Sequence, residues 1–358
     1  MTQDAQSQSH TSLTKPTLIA SLPSSALPKP HGGPDSPRLI MIGDVHGQLK
    51  ALDKLLTKVG YSRKRGDIVI FTGDMVNKGP NSGGVVDRAV EIGAYSVRGN
   101  HEDRVLRAWD KMQAEASTDT DTDTDTDIDE EPEGDVGAEK KKKHKHKGKK
   151  EDRRTAKSLT SAQRAWLAAR PVILRIGEIS PYYGDVVVVH GGLVPGIPLE
   201  KQDPQVVMSI RTLITPSSFS PESFLDSPVD SSGHPHLKPS EGREGHPWSK
   251  IWNALEKEKR KKGRHGMTTT TVVYGHDAKT GLSVRRYAFG IDSNCARGGE
   301  LTALVFEPTS ASGTVSSVHD PNIPKSTNDD EDENPEVIAE KHKQAKHGIT
   351  HRLVSVSC

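Results

Sequence analysis

Seven residues of this 358-residue chain have the side chains and the settings that divalent-metal chemistry requires: Asp44, His46, Asp74, Asn100, His101, His190 and His276. Each follows a β-type run and has a glycine within a residue or two, as in Gly43-Asp44-Val45-His46-Gly47, Gly73-Asp74, Gly99-Asn100-His101, His190-Gly191 and Gly275-His276. Two divalent cations about 3.5–4 Å apart need a bridging carboxylate and hard or borderline ligands on both sides. The set supplies Asp44, His46 and a bridging Asp74 for one metal, and Asp74, Asn100, His190 and His276 for the other. The Asn100 amide adds no charge, which keeps the pair electrophilic. A water bridging two such cations loses its proton near neutral pH and becomes a nucleophile. Single strand-end histidines are mostly structural; five motifs of one kind, in one order, point to two divalent ions. The donors suit Zn, Mn, Co or Fe and do not choose among them.

The chain must carry these residues on strand ends. Arg38 to Ile42 is an apolar strand-type run, followed by helical spacing at Leu49, Leu52, Leu55, Leu56 and Val59. Ile68 to Thr72 repeats the pattern, with helical spacing from Val85 to Ile92, and Ala94 to Val97 gives a third strand before Asn100. Further strands are expected at Val172 to Ile176, Asp185 to Val189, Thr269 to Tyr274, Tyr287 to Ile291 and Leu301 to Phe306. Helices are expected at Ala162 to Ala169, at Val206 to Leu213 (carrying Arg211) and at Trp248 to Lys262. Repeated strand–loop–helix units with polar residues at the strand ends describe an α/β sheet with its site along one edge. Glu102 and Asp103 suit the first turn of a helix starting near Asn100. Trp248 and Trp252, four residues apart, are expected to pack against the sheet.

Composition sets the limits. Hydrophobic residues make up 32% and aromatics 4%, so part of the chain is expected not to fold. Residues 1–36 read as a disordered arm and 309–358 as a mostly disordered tail around a folded region, 37–308. That region is interrupted at 116–161 by a low-complexity insertion, acidic and then basic, and at 215–247 by a Ser/Pro-rich loop. The insertion reads as a solvated spacer; Lys140 to Lys150 could instead gather a polyanion or direct the chain to the nucleus. Cys295 and Cys358 form no disulfide framework, the pattern of a reducing compartment, and Cys295 reads as a small buried residue. No run reaches the about 18 apolar residues of a membrane span. A cytoplasmic protein is expected, and no membrane anchor supports a vacuolar one.

The quoted motifs, Gly43-Asp44-x-His46, Gly73-Asp74, Gly99-Asn100-His101, Val189-His190-Gly191 and Gly275-His276, resemble those of the calcineurin-like metallophosphoesterase superfamily. The resemblance implies an α/β sandwich of two mixed β-sheets flanked by helices, and covers Pro37 to Met112 and about Ala162 to Pro308. Ala278 stands where a Gly-His-x-His motif would carry its second histidine, which places the chain with the phosphoprotein-phosphatase-type branch. Protein phosphatases carry Asp-Arg where this chain has Asn77-Lys78. Gly79-Pro80-Asn81-Ser82, Val194-Pro195-Gly196, Gly275-His276-Asp277-Ala278 and Ile291-Asp292 resemble the symmetrical diadenosine-tetraphosphatase-like group, with its polyphosphatase and cap-cleaving relatives.

That likeness implies hydrolysis of a phosphoanhydride in inorganic polyphosphate or a nucleoside polyphosphate, including diadenosine tetraphosphate or an mRNA cap. A bridging hydroxide would attack in line, with His101 as the acid. Asn77 cannot raise the basicity of His101 as an Asp would, and a phosphate leaving group tolerates that weakness. Lys78, Arg98 and Arg211 are candidates for the substrate phosphates, Arg98 and Arg211 equally for structural ion pairs. A serine/threonine protein phosphatase is the competing reading, and a catalytically idle scaffold the third.

Overall fold

The computed structural model describes residues 15–33, 35–118, 148–226, 237–262, 268–309, 344 and 346–358. Its centre is β2 (Leu39–Ile42), a run buried on both faces, as near-continuous apolar strands in a covered sheet must be. β2 pairs in parallel with β3 (Ile68–Phe71), and β3 with β4 (Tyr95–Ser96). On its other side β2 pairs antiparallel with β13 (Glu300–Pro308), which pairs antiparallel with β14 (Ile349–Ser357). A second mixed sheet runs β1 (Ile19–Ser21), β5 (Ile173–Ser180), β6 (Gly184–Val189), β10 (Thr270–Tyr274), β12 (Ala288–Gly290) and β11 (Ser283–Arg285).

Period-two alternation gives each sheet two faces. Leu39, Met41 and Ile70 from one sheet meet Leu174, Val186, Val188 and Phe289 from the other in the core between the sheets. Ile40, Ile42 and Phe71 point outward to α1 (Leu49–Lys58), α2 (Ser82–Glu91) and α3 (Asn100–Thr118). The outer face of the second sheet is covered by α6 (Pro204–Ser209) and α8 (Trp248–Lys261), where Trp248 packs 4.8 Å from the Tyr274 ring. This is an α/β sandwich of two mixed sheets flanked by helices, as expected.

Two boundaries change, and a disulfide appears. Ile19–Ser21, inside the expected disordered arm, is a strand in register with β5, and its neighbour Leu22 is buried. Ile349–Ser357, inside the expected tail, pairs with the whole length of β13; an edge strand with one apolar face reads as polar sequence. Cys295 and Cys358 form a disulfide that joins the end of this strand to the turn before β13, so they are neither free nor without pairing.

Two interruptions are also smaller than expected. Residues 148–158 are helical (α4) and lead through a capping box at Thr160 and Gln163 into α5 (Ser161–Ala168). The expected loop 215–247 contains α7 (Pro221–Asp226) and a small sheet of β7 (Thr212–Ile214), β8 (Lys238–Ser240) and β9 (His246–Pro247). Arg211 therefore lies past α6 and just before β7, and not on a helix. The acidic–basic stretch 119–147, including most of Lys140 to Lys150, lies outside the described residues. Among the described residues, no helix is long and apolar enough to cross a membrane.

Candidate metal centre

The expected residues converge where the two sheets meet at their strand ends. Asp44 and His46 follow β2, Asp74 follows β3, Asn100 and His101 open α3 after β4, His190 follows β6 and His276 follows β10. His46, Asp74 and His276 hold positive φ angles of 46°, 51° and 72°, conformations that ordinary side chains adopt only when their surroundings impose them. Two glycines make the approach possible. A Cβ on Gly99 would collide with Asp74, and one on Gly275 with Asp44.

The carboxylate of Asp74 faces two ways. Its Oδ2 lies 3.4 Å from His46 Nε2, and its Oδ1 lies 3.3 Å from His190 Nε2. Asp44 Oδ2 is 3.9 Å from His46 Nε2, and Asn100 Oδ1 is 3.0 Å from His190 Nε2. Among the described residues, ligand atoms fall into two groups that share Asp74: His46, Asp74 and His101, and Asp44, Asp74 and His190.

The histidines are oriented for coordination. His46 Nδ1–H donates to the Val76 carbonyl at 2.9 Å and His190 Nδ1–H to the Thr72 carbonyl at 2.8 Å, which turns each Nε2 toward the carboxylates. His276 uses its Nε2–H on the Ser209 carbonyl at 3.0 Å and keeps Nδ1. Backbone carbonyls that fix the tautomer in this way are the usual outer support of metal-binding imidazoles. Donor set and tautomers thus fit a pair of divalent cations.

The electrostatics follow from burial. His46 is lowered to about 4 by burial, against the pull of Asp74. Burial also opposes charge on His190, but the carboxylates of Asp74 and Asp44 push it up to about 10. Burial and the neighbouring Asp292 hold the Asp44 carboxyl well above the usual range.

Beside the ligands lies a cavity of about 160 Å³. His46, His276 and Asp292 line it together with Lys78, Arg211 and Arg297. Lys78 Nζ donates to His46 Nε2 at 2.8 Å, and Arg211 is held by the Glu241 carbonyl at 2.9 Å. Arg98, the third expected phosphate contact, is elsewhere: it is fully buried, pairs with Asp103 at 3.4 Å and donates to the Ala168 carbonyl at 2.5 Å. Of its two expected readings, the geometry supports the structural ion pair. Asn77 Nδ2 lies 3.1 Å from His101 Nδ1, and His101 Nε2 lies 3.9 Å from Asp74 Oδ2.

Four participants are not among the site residues expected from sequence, although Asp292 lies in a quoted motif. Asp292, buried, acts on the neighbouring Asp44 carboxyl by its charge and accepts from the Asn294 N–H at 3.0 Å. Arg243, Lys279 and Arg297 add cations to the cavity wall, Arg243 being engaged by Asp277. Asp292 had a signal in its place straight after a strand; the three cations had none, since they reach the cavity from separate loops.

A centre for two divalent cations, built on strand ends of a two-sheet sandwich and backed by a cationic cavity, defines a metal-dependent phosphoesterase. Residues 37–279 match the calcineurin-like phosphoesterase family, and the chain belongs to that family, which works with a dinuclear metal site. It is 40% identical over 73 residues to the symmetrical bis(5'-nucleosyl)-tetraphosphatase of Acidovorax sp., covering 20% of this chain and 25% of that protein. It is 34% identical over 68 residues to serine/threonine-protein phosphatase 1 of Salmonella typhimurium, covering 19% of this chain and 31% of that one. The alignments thus span about a quarter to a third of the curated relatives. A solved structure of a putative diadenosine tetraphosphatase superimposes with a TM-score of 0.52 at 27% identity, over 81% of this chain and 93% of that one.

Proposed function

We propose that this chain hydrolyses phosphoanhydride bonds, with a nucleoside polyphosphate such as diadenosine tetraphosphate, inorganic polyphosphate or an mRNA cap as substrate. The observation that carries this reading is the row of cations continuous with the metal ligands: Lys78, Arg211, Arg243, Lys279 and Arg297 line one cavity with His46 and His276. A phosphomonoester offers one phosphoryl group to such a wall; a polyphosphate offers a series of anionic oxygens. Likeness to diadenosine tetraphosphatases at both sequence and structure level points the same way.

Two divalent cations held by Asp44, His46, Asp74, Asn100, His190 and His276 would supply Lewis acidity and acidify a water. The residues do the rest. Lys78 and Arg211 hold the non-bridging oxygens of the phosphoryl group in line with the ligand cluster. Water oxygen bonds to phosphorus, its proton passes to solvent, and the P–O anhydride bond breaks. The departing phosphate keeps that bond's electron pair. His101 steadies it with a hydrogen bond from Nε2, enough for a leaving group that is already a stable anion.

The competing reading, a serine/threonine protein phosphatase, draws on the same ligands and on the likeness to the Salmonella enzyme. The test is kcat/KM with one metal for diadenosine tetraphosphate, polyphosphate, capped RNA and phosphoserine peptides. An anhydride should be hydrolysed fastest. A preference for phosphopeptides would overturn the assignment and leave the metal centre standing.

A further inference from the structure

Asp152 belongs to the charged run Lys149-Lys150-Glu151-Asp152-Arg153-Arg154, a stretch that reads as solvated surface. In the fold it is 6% exposed and points inward from α4 toward the loop after β3. Asn77 Nδ2 donates to its Oδ1 at 2.7 Å, and the same Nδ2 lies 3.1 Å from His101 Nδ1. Next door, Glu151 accepts from the Lys78 N–H at 2.7 Å. Asn77 and Lys78 both sit at positive φ, 69° and 64°, so this loop is held in place by what it binds.

The chemistry of the trio leaves one arrangement. Burial pushes the Asp152 carboxyl up, and the Arg104 guanidinium opposes this with hydrogen bonds of 2.9 and 3.0 Å. A carboxylate only accepts, so the end of the Asn77 amide that faces it must be the NH₂ end. That NH₂ has two hydrogens; one goes to Asp152 and the other to His101 Nδ1. His101 Nδ1 is then an acceptor, and the ring's proton sits on Nε2, the atom that faces Asp74 and the metal ligands.

We infer that Asp152 is a positioning residue: acting through Asn77, it fixes His101 with its single proton on Nε2, aimed at the leaving group. The device rests on the role given to His101 above and goes beyond it. A ring clamped this way gives a directed hydrogen bond and has no second proton on Nδ1, which suits a departing phosphate better than a departing alkoxide. It also gives α4 a task at the site, although the segment before it in sequence is low in complexity.

The test is a double-mutant cycle in the metal-loaded full chain, with kcat, KM and metal content measured on diadenosine tetraphosphate and on p-nitrophenyl phosphate. Asp152→Ala should lower kcat about tenfold, with KM within about twofold and metal content unchanged. In a His101→Ala background, Asp152→Ala should cost nothing more. Asp152→Asn, whose carbonyl can still accept from Asn77, should recover most of kcat and also serves if the alanine variant does not fold. Arg104→Ala, which leaves the carboxylate in place, should lose less than Asp152→Ala. Equal losses in both backgrounds would make Asp152 merely structural, and unchanged kcat in Asp152→Ala would remove its role; either overturns the inference alone. Unchanged kcat in His101→Ala would overturn the inference together with the reading of His101 on which it rests.

Discussion

Glu102 holds the backbone that presents Asp74. Its Oε2 accepts from the Asp74 and Gly99 N–H groups at 2.7 and 2.8 Å, and its Oε1 from those of Met75 and Val76 at 2.8 and 3.2 Å. The side chain is fully buried, so these four donors have no water to turn to. Its place in the first turn of α3 is a helix-end preference that sequence could suggest, but its main task is to tie that helix to the loop carrying the shared ligand.

Glu102→Gln puts an amide NH₂ against backbone N–H groups that also need acceptors. Leaving a buried donor unsatisfied costs about 1–3 kcal/mol, more where a charged partner is lost. The variant should lose about 2–3 kcal/mol of stability by denaturant midpoint, and its metal content should fall as Asp74 loses its fixed position. Normal stability and two retained ions would remove the supporting role.

Asp74 and His101 should separate in their metal content. Asp74 offers one oxygen to each histidine side, so Asp74→Asn should lower binding of both ions and abolish most turnover. His101 is close enough to Asp74 to count among potential ligands, yet its proposed work is on the leaving group. His101→Ala should keep its metal by elemental analysis and lose turnover, whereas His190→Ala should lose both. Equal metal loss in the two histidine variants would move His101 into the coordination sphere.

The contrast between these residues and Asp152 shows what sequence can disclose. Metal coordination restricts ligands to a few side-chain types, and strand ends force them next to glycines; Asp44, His46, Asp74, Asn100, His190 and His276 therefore carry their own signal. Arg98 could not be assigned, because a cation after a strand serves a phosphate or a buried carboxylate equally well, and only the position of Asp103 decides. Asp152 was invisible because its neighbours are charged and its partner Asn77 lies 75 residues away. The main strands were legible from runs of Val, Ile and Leu. β1 and β14 were not, since edge strands bury one face only and draw their stability from the neighbour they pair with. The disulfide depends on that same pairing, which brings residues 295 and 358 together.

Asp67 holds an ion pair that strong acid should break. Its carboxylate, 5% exposed, pairs with Arg38 at 2.8 Å and Arg65 at 2.7 Å. Burial raises its pKa, but the hydrogen bonds from Arg65 and Arg38 win and hold it at about 2 against an ordinary 3.8. A depressed folded-state pKa stabilises the fold above the unfolded value, and that contribution is lost as pH falls toward 2. It amounts to about 2 kcal/mol. Asp67→Asn should therefore be less stable than the parent by at least about that amount at pH 6, and the gap should close between pH 4 and 2. A gap independent of pH would mean that packing, and not the ion pairs, accounts for the loss.

The Cys295–Cys358 bond closes a loop with a sequence separation of 63. In the chain-entropy account, cross-linking at that spacing destabilises the unfolded chain by about 4 kcal/mol, and measured values are commonly about 2–4. The native side of the balance is favourable too: the Cys358 N–H donates to the Gly299 carbonyl at 3.0 Å, and β14 is paired with β13 along its whole length, so the bond joins ends already held together. Cys358→Ser should lower the unfolding free energy by about 2–4 kcal/mol in non-oxidising, non-reducing buffer. Metal content should stay unchanged, because no ligand lies on β14. Excess dithiothreitol should bring the parent down to the level of the variant and leave the variant where it was. A parent that loses no stability on reduction would show that β-pairing alone secures the strand.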